Sequence, residues 1–409
     1  MKILHTSDWH LGDKLGARRL ERRPHLKNGL NQIARYLEEY KVDVMIISGD
    51  VFSDQLSMET RRDAIGDIHE AFQAFIQAGG TIIAISGNHD SEPFFDLLYD
   101  ATELVSGGKS FRPDADPGGK LYALAFPKVL RLSDRLGREV VQFLVMPFPN
   151  KRRYLRGESG IQTIEQQNMR VMEQFSGAFK HLINEEIDKS KACVMVSHLF
   201  INGVELPHTR FHLTEAQEMI FSRQELPTSW AYIACGHIHR PQAIFNNAEH
   251  IRYAGSIERL DLGESADDKS VTLVEIRDGQ RVDQPQLLPL KAAPLYRVEI
   301  SDLEQIPHLR EIYPDADKAL VKYFLHWDKS KGYNLAEIRR EIERAFPEWY
   351  DHEMVNLNPS GQPITTGPRQ ISNIRETVEM FLESQIPEND LCREKLLERA
   401  KILLTQEGY

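Results

Sequence analysis

Short apolar runs alternate with amphipathic segments along the first half of the chain. The runs are mostly aliphatic and lie at residues 2–4, 42–47, 81–85, 192–196 and 230–235. Their length and aliphatic content are typical of strands that are buried on both faces of a sheet. Between the first three runs, apolar residues recur at helical spacing over 30–40 and 65–76. This alternation predicts an α/β fold.

The pattern changes after the fifth run. Two further apolar runs, IRYAGSI at 251–257 and VTLVEI at 271–276, predict strands that close the domain as an additional β layer. Pro289 follows these runs, and a new unit begins with LYRVEI at 295–300. We therefore predict a first domain over residues 1–290.

The new unit combines an apolar run at 318–327 with an amphipathic helix around 335–345, which predicts a small α+β domain over 291–360. A loop rich in Pro, Gly and Thr at 358–368 is typical of a linker. Beyond it, two apolar stripes at helical spacing predict helices with more apolar surface than they can cover themselves. We predict that 361–409 forms a linker and a helical segment that docks on a partner.

Composition agrees with a globular protein of several domains. The chain has 409 residues, of which 41% are hydrophobic and 27% charged, and this length exceeds what one hydrophobic core usually supports. The sequence contains no apolar stretch as long as a membrane span, and its first residues enter a strand rather than a signal peptide. We therefore expect a cytoplasmic protein with no membrane partner.

The cysteines and the net charge give further information on the cellular compartment and on the protein surface. The three cysteines are far apart and match no zinc-site spacing, which favours a reducing compartment. The net charge of -11 excludes a surface that is basic throughout, although local basic loops remain compatible with it.

Polar side chains follow each of the five predicted core strands. The residues with donor atoms lie in the motifs D-x-H, G-D, G-N-H-D, S-H and G-H-I-H, and are Asp8, His10, Asp50, Asn88, His198, His237 and His239. Because the carboxyl ends of neighbouring parallel strands face one crevice, these residues are expected to converge. A glycine before a donor, as at Gly49, Gly87 and Gly236, allows a sharp turn at the strand end.

The chemistry of this set indicates metal ions. Two carboxylates, one amide oxygen and four imidazoles are too many donors for a single ion with an open position, and they suit two ions that share Asp50. Mixed nitrogen and oxygen ligation without thiolate favours Mn²⁺, Fe²⁺ or Zn²⁺ over Mg²⁺ or Ca²⁺. We predict two Mn²⁺ ions.

Each motif alone also has an ordinary interpretation. An isolated Asp-x-His occurs by chance, Gly-Asp after a strand is a common turn, and a buried histidine such as His198 often only satisfies a backbone carbonyl. The motifs G-N-H-D and G-H-I-H are more specific. It is the order and placement of the whole set that indicates a metal site.

This order of motifs resembles that of the calcineurin-like metallophosphoesterase superfamily. The longer segments HTSDWHLG, GDVFSD, SGNHDS, VSHLFINGVE, ACGHIHRPQ and RYAGSIERLDLGE resemble its SbcD-type nucleases, which process DNA double-strand breaks. The resemblance is strong over residues 1 to about 290. It implies a four-layer α/β/β/α sandwich with a small α+β capping domain and a C-terminal helical segment.

The resemblance also implies roles for individual residues. One ion would be held by Asp8, His10, Asp50 and His239, and the other by Asp50, Asn88, His198 and His237. His89 matches the catalytic histidine of the family, which would donate a proton to the leaving oxygen or stabilise charge on the phosphate. The alternative is that His89 only supports the site.

One position departs from the family pattern. Related enzymes often carry His or Asp three residues after the bridging aspartate, where that side chain can orient the catalytic histidine. This position is Ser53 here, and Asp54 follows it. Either Asp54 orients His89, or the orienting contact is weaker.

Two clusters of basic residues could contact the phosphates of a DNA backbone. Their members lie in residues 16–25 and 151–156, and are Arg18, Arg19, Arg22, Arg23, Lys151, Arg152 and Arg153. Such side chains contact phosphates irrespective of sequence, although many arginine clusters are simply solvated. We expect DNA binding with little sequence specificity.

The resemblance further implies protein partners. The C-terminal helices would contact an SbcC-type ATPase of the ABC/SMC-like class, and the chain would form a homodimer within a heterotetramer associated with the nucleoid. The alternative is that these helices fold back onto the small domain.

The function that the resemblance implies is that of a Mn²⁺-dependent nuclease in double-strand-break repair. It would act as a 3′ to 5′ exonuclease on duplex DNA and as an endonuclease on single strands and hairpins. A phosphodiesterase or phosphatase for small molecules is a second hypothesis, which the capping unit and basic loops argue against. A third is a metal-stabilised scaffold for the ATPase, without activity of its own.

Overall fold

Two β-sheets pack face to face, and helices cover the outer face of each sheet. The computed structural model describes residues 1–105, 119–156, 163–203, 219–327, 332, 334–356, 393, 395 and 397–399. Among the helices in these ranges, none is both long and apolar enough to span a bilayer.

The N-terminal strand lies at the centre of the first sheet. In spatial order the strands are β16 (Gln280–Arg281), β15 (Ser270–Arg277), β1 (Lys2–Thr6), β4 (Val44–Ile47), β5 (Thr81–Ile85) and β6 (Leu121–Leu124), and β17 (Gln286–Pro289) also pairs with β15. Strands β1, β4, β5 and β6 are parallel, since a helix returns the chain after each of the first three. These helices are α1 (Arg23–Glu39), α2 (Met58–Gln77) and α3 (Glu92–Val105).

The second sheet repeats this arrangement with fewer helices. In spatial order its strands are β13 (Gln242–Ala243), β14 (Ile251–Tyr253), β12 (Tyr232–Gly236), β9 (Cys193–His198), β8 (Val140–Met146) and β7 (Lys128–Ser133). Strands β8, β9, β12 and β14 are parallel. Two helices, α4 (Lys151–Tyr154) and α5 (Ile164–Glu185), lie between β8 and β9 in the chain. Thr163 begins α5 with a capping box, in which its hydroxyl accepts from the backbone N–H of Gln166.

Two short strand pairs lie outside the sheets. Strands β2 (Lys14–Leu15) and β3 (Leu20–Glu21) form an antiparallel hairpin after β1. Strands β10 (Phe200–Ile201) and β11 (Ile220–Phe221) form a parallel pair after β9.

Three apolar clusters hold the four layers together. Between the sheets, Ile46 and Ile83 of the first pack with Phe143 and Val194 of the second. The outer face of the first sheet packs on α1 and α2, and that of the second sheet packs on α5. Because both faces of both sheets are covered, their central strands are apolar along their length rather than alternating.

A small unit, residues 295–356, follows the two sheets. Its strands β18 (Leu295–Ile300), β19 (Leu320–Trp327) and β20 (Trp349–Asn356) are parallel, and α6 (Leu309–Ile312) and α7 (Leu335–Ala345) contribute to its apolar core. The small unit contacts the hairpin region of the first domain. Arg18 donates to the backbone oxygen of Trp349 at 2.9 Å, and its guanidinium lies 4.9 Å from the Trp349 ring centre.

The structure confirms the predicted α/β/β/α sandwich and corrects the assignment of two strands. The run at 251–257 does not form an additional layer, since β14 extends the second sheet beside β12. The run at 271–276 inserts as β15 next to β1 in the first sheet. Both positions bury apolar side chains that a surface layer would expose. The strand at 295–300 and the helix at 335–345 are confirmed.

Part of the prediction falls outside the described residues. Of the linker and helical segment predicted at 361–409, the structure describes 393, 395 and 397–399. The domain boundaries at 290 and 360 therefore stay predictions, although the last strand of the first sheet ends at Pro289 and the small unit begins at Leu295.

Packing between the sheets should dominate the stability of the fold. Phe143 is fully buried between them, so Phe143→Ala should lower the free energy of unfolding by about 3–5 kcal/mol through lost burial and a cavity. Leu136→Ala serves as the control, because Leu136 is 69% exposed and its truncation should change stability by less than about 0.5 kcal/mol. Urea denaturation measures both. Equal effects of the two substitutions would contradict the assigned core.

Candidate metal centre

The predicted donors converge where strands of the two sheets end. Asp8 and His10 follow β1, Asp50 follows β4, Asn88 follows β5, His198 ends β9, and His237 and His239 follow β12. The first three strands belong to one sheet and the last two to the other. The crevice is therefore formed by two facing sheets rather than by one open sheet.

Short distances connect the donor atoms. His198 Nε2 lies 3.3 Å from Asp50 Oδ2 and 2.9 Å from Asn88 Oδ1. His237 Nδ1 approaches the same amide oxygen at 3.0 Å. On the other side of the centre, His10 Nε2 lies 3.7 Å from Asp50 Oδ2. The structure thus brings together all seven predicted donors, since His239 Nε2 also lies 3.9 Å from Asp8 Oδ1.

Four of the donor residues have a positive backbone φ, which residues other than glycine rarely adopt. Asp8, His10 and Asp50 have φ values of 51°, 45° and 49°, and His237 has a φ of 100°. Non-glycine residues at positive φ are uncommon, and they cluster at functional sites where the surrounding structure holds them. Here two backbone hydrogen bonds of 3.0 Å do so, from Asp8 N to Gly49 O and from His10 N to Asp50 O.

The glycines before the donors have two different roles. Gly49 has a φ of 96°, which agrees with the predicted sharp turn. Gly236 and Gly87 do not have positive φ, and for them the predicted reason is wrong. A Cβ on Gly236 would lie 1.9 Å from Ser48 O, and one on Gly87 would lie 2.1 Å from Asp50 Oδ1. These two positions require glycine because neighbouring chain segments approach too closely for any side chain.

The hydrogen bonding of His198 indicates a cation in the centre. Its Nδ1 lies 2.8 Å from Ser48 O and donates to this carbonyl, so in the neutral ring Nε2 carries a lone pair. That lone pair faces oxygen acceptors of Asp50 and Asn88. Acceptors at such distances repel one another unless a proton or a metal ion lies between them.

His10 supplies a second observation of the same kind. Its Nε2 is buried and has no hydrogen-bond partner among the described residues. A buried polar atom without a partner costs about 1–3 kcal/mol, unless the site provides for it in another way. A divalent ion held by His10, Asp8 and His239 would do so, and their donor atoms lie within 4.8 Å of one another. The residues present therefore fit a metal.

Burial and the neighbouring carboxylates set the pKa values of the four histidines in opposite directions. Burial opposes a charge on His198, but the Asp50 carboxylate outweighs burial and raises the pKa of His198 to about 9. Burial also opposes a charge on His239, and Glu264 reverses this and raises its pKa to about 9. Burial lowers the pKa of His10 and of His237 to about 3, so both rings are neutral at pH 7.

His89 lies at the solvent side of the centre. Its backbone N–H donates to Asp50 Oδ1 at 2.9 Å, and its ring centre is 5.0 Å from that of His10. Its Nδ1 lies 2.7 Å from Asp54 Oδ2, whereas the hydroxyl of Ser53 donates to His10 O at 3.1 Å. Of the two alternatives raised by the sequence, it is Asp54 that contacts the His89 ring.

Two carboxylates of the site were missed by sequence reasoning. Asp90 accepts from the backbone N–H groups of Gly87 and Phe52, both at 2.9 Å, and so ties two of the loops that carry donors. Glu264 lies 2.8 Å from His239 Nδ1. Both residues lie within quoted motifs, Asp90 as the last residue of GNHD and Glu264 as the last of RYAGSIERLDLGE, but spacing alone does not reveal whom they contact.

The structure contradicts one predicted phosphate contact. Arg22 is fully buried, donates to Asp13 Oδ2 at 3.0 Å and also bonds to the Arg259 carbonyl. It therefore cannot reach a phosphate, and the prediction for this residue is wrong. Its position immediately before α1 turns the side chain into the protein, which a charge pattern cannot reveal.

Some of the other basic residues predicted to contact DNA already form ion pairs within the protein, and others do not. Arg23 bonds to Asp67 and Asp63 at 2.7 Å each, and Arg153 is paired with Glu92. Arg18 is bound to the small unit as described above. The side chains of Lys151, Arg152 and Arg19 remain at least partly accessible, with Lys151 3.3 Å from Gln167 Oε1.

Comparison with known proteins places this site in a family. The calcineurin-like phosphoesterase family matches residues 1–241, and the chain belongs to it. This membership makes the protein a phosphoester hydrolase and implies that it binds divalent metal, in agreement with the donor set described above.

Three relatives resemble the chain over most of its length, and each is named as the SbcD component of the nuclease SbcCD. That of Staphylococcus epidermidis is 28% identical over 399 residues, which cover 88% of this chain and 95% of the relative. That of Staphylococcus saprophyticus is 26% identical and covers 85% and 83%. That of Bacillus subtilis is 26% identical and covers 73% and 72%. Because the Staphylococcus epidermidis relative covers 88% of this chain, its similarity extends beyond the matched family region into the small unit.

The close approach at Gly236 should make that position intolerant of any side chain. We expect Mn²⁺ to raise the thermal stability of the wild type, and Gly236→Ala should abolish this effect, because its Cβ would displace Ser48 and His198. Gly177→Ala is the matched control, since Gly177 lies on α5 with open space around it and should gain up to about 1 kcal/mol. Differential scanning fluorimetry with and without Mn²⁺ measures both. A normal Mn²⁺ shift in the Gly236 variant would refute the described crowding.

Metal binding should be coupled to proton release. At pH 7 His198 and His239 carry protons in the metal-free protein, because each pKa is about 9, and a metal ion must displace them. Affinity for Mn²⁺ should therefore increase as the pH is raised from 6 towards 9. Calorimetric titration in two buffers of different ionisation enthalpy detects the released protons. Identical binding heats in both buffers, with an affinity that does not change with pH, would argue against these ligands.

Proposed function

We propose that the chain is the nuclease subunit of an SbcCD-type complex and hydrolyses DNA phosphodiester bonds with two divalent ions. The observation that carries this proposal is the cluster of buried acceptor atoms around Asp50, which needs cations to be stable. Each of the three relatives is named as a subunit of a nuclease, which supports a nucleic acid as the phosphoester substrate, and we propose DNA. The similarity of the Staphylococcus epidermidis relative over the small unit further supports a nuclease over an enzyme for small molecules.

The seven donors would be shared between two ions. Asp8, His10 and His239 would hold one, Asn88, His198 and His237 would hold the other, and Asp50 would bridge them. The mixture of imidazole nitrogen and oxygen donors favours Mn²⁺. When bound, the ions would supply the positive charge that stabilises the phosphate as negative charge builds on it.

His89 would act on the leaving group. Its Nδ1 is engaged by Asp54 at 2.7 Å, which leaves Nε2 available to a phosphodiester in the crevice. From this position His89 would give a proton to the departing sugar oxygen or stabilise the charge on the phosphate. Asp54 would keep the ring in the required tautomer and orientation, as a carboxylate partner does for other catalytic histidines.

DNA would approach over the accessible basic residues. Among the described residues, four accessible members of the two basic clusters lack an ion pair, and they are Arg18, Arg19, Lys151 and Arg152. Arg18 is bonded to backbone oxygens of the small unit, so we propose the other three as the DNA contacts. Contacts from them to phosphates would bind DNA without regard to base sequence. We propose further that the chain acts on duplex ends in the 3′ to 5′ direction and on single strands and hairpins, within a heterotetramer with an SbcC-type ATPase.

Cleavage assays separate this proposal from its alternatives. End-labelled duplex and hairpin DNA should be cut in Mn²⁺, more slowly in Mg²⁺, and not in the presence of a chelator. Turnover of a cyclic nucleotide with intact DNA in Mn²⁺ would favour a small-molecule phosphodiesterase. No cleavage of either substrate under any metal condition, with the ATPase partner present, would favour a scaffold.

Loss of His89 should abolish chemistry without loss of the metals. His89→Gln should lower the rate of DNA cleavage by about 10² to 10⁴-fold, the usual contribution of a general acid or base, while Mn²⁺ binding stays as in the wild type. His69→Gln is a matched control, because His69 lies on α2, away from the donor loops. Single-turnover cleavage and Mn²⁺ titration measure the two properties. Unchanged cleavage in the His89 variant would remove this residue from the proposed mechanism.

A further inference from the structure

One short segment lies between the metal centre and the small unit. It is residues 258–264, which follow β14 and end in the 3₁₀ turn Leu262–Glu264. One side chain of this turn faces His239, and another packs towards the small unit. The segment is also fixed at its start, where Glu258 Oε1 accepts from the backbone N–H of Ala293 at 3.0 Å.

Glu264 fixes the ring of His239. Glu264 Oε1 lies 2.8 Å from His239 Nδ1, so this nitrogen carries a hydrogen, and in the neutral ring that a metal ion requires Nε2 has the lone pair. His239 Nε2 is the atom that faces Asp8. A carboxylate bound to the far nitrogen of a ligand histidine sets both its tautomer and its orientation.

The Glu264 carboxylate is itself held by several donors. Its Oε2 lies 2.6 Å from Lys269 Nζ, 3.0 Å from Ser256 Oγ and 3.2 Å from the Leu260 backbone nitrogen. Both Glu264 and Lys269 are buried, and Lys269 Nζ also donates to the backbone oxygen of His239 at 3.0 Å. Glu264 therefore has little freedom to rotate away from His239.

The other side of the turn reaches the small unit. Leu262 packs against a buried apolar cluster to which the hairpin contributes Leu15 and the small unit contributes Leu295, Leu320 and Tyr350. Only one residue separates Leu262 from Glu264. A displacement of the small unit would consequently move the turn that holds the carboxylate.

We propose that Glu264 is a positioning residue for the metal ligand His239, and that packing of Leu262 on the small unit determines where Glu264 lies. This inference rests on the proposed function, in which His239 binds an ion. It connects occupation of one metal site to the position of the small unit.

A pair of double variants tests the first half of the proposal. Both Glu264→Gln with Lys269→Met and Glu264→Ala with Lys269→Met remove the two members of the buried ion pair together, so neither variant leaves one of these two charges without the other. Both variants also remove Lys269 from Asp267, which keeps Arg240 at 3.9 Å, and this change is the same in the two variants. Only the glutamine variant keeps an oxygen that can accept from His239 Nδ1. The glutamine variant should bind Mn²⁺ at both sites like the wild type, whereas the alanine variant should bind one of the two ions about 10 to 100-fold more weakly.

Mn²⁺ titration followed by electron paramagnetic resonance, on the full chain, resolves the two sites. Equal binding by the two double variants would overturn the positioning role of Glu264. A wild type that binds no Mn²⁺ would instead defeat the proposed function on which the inference rests. Asp261→Asn is a further control, because it removes a carboxylate from the same turn and keeps the side-chain cap to Gly263 N.

Truncation of Leu262 tests the connection to the small unit. Leu262→Ala should weaken the same Mn²⁺ site that Glu264 supports and leave the other site unchanged, while Leu136→Ala should affect neither. Leu295→Ala, made from the opposite side of the contact, should reproduce the effect of Leu262→Ala. If Leu262→Ala lowers thermal stability but binds both ions like the wild type, the link to the small unit is refuted.

Discussion

Two carboxylates without access to water, Asp8 and Asp50, lie where the two sheets meet. An isolated ionised carboxylate in such a place is strongly unfavourable, so the surroundings have to supply positive charge or hydrogen-bond donors. Four imidazoles converge on the pair, and the backbone N–H groups of His89 and His237 donate to Asp50 and Asp8 at 2.9 and 3.2 Å. The loops that carry His89 and His237 are thus placed so that their backbone N–H groups face the two carboxylates.

The same requirement explains why local rules of chain geometry are broken here. Four donors have a positive φ, and two glycines allow chain segments to approach within distances that no Cβ would tolerate. Each left-handed residue costs about 1–3 kcal/mol, which only a well-packed surrounding can offset. The apolar layers between and outside the sheets provide that packing. The favourable free energy of core packing thus offsets the backbone strain of the donor loops at the edge of the sheets.

The sequence predicted the chemistry of the site better than its architecture. Donor types and their order after apolar runs identified all seven side chains that the structure brings together. The two-sheet sandwich followed from the family resemblance, whereas the hydrophobic pattern alone suggested that all five strands end at one crevice of one sheet, because periodicity does not tell which strands pair or in which sheet. Strands β7 and β8 and the helix α5 were not predicted, and β15 was assigned to an outer layer although it lies beside β1.

Contacts between side chains were the least predictable feature. Ser53 and Asp54 could not be distinguished from the sequence, because which of them faces His89 depends on the path of one loop. Arg22 was taken for a surface residue, although it is as buried as the apolar core. Glu264 gave no signal of its own, since its partner His239 lies 25 residues away in the chain. Such facts depend on tertiary geometry.

The division of the donors between two sheets also concerns the order of events during synthesis. The first sheet supplies Asp8, His10, Asp50 and Asn88, but the partner histidines come with β9 and β12, which are made later. An emerging chain would hold only half of a coordination shell until residue 239 has left the ribosome and the second sheet has docked on the first. Metal ions would then bind only after both sheets have folded and docked. A partly synthesised chain would therefore have no hydrolase activity.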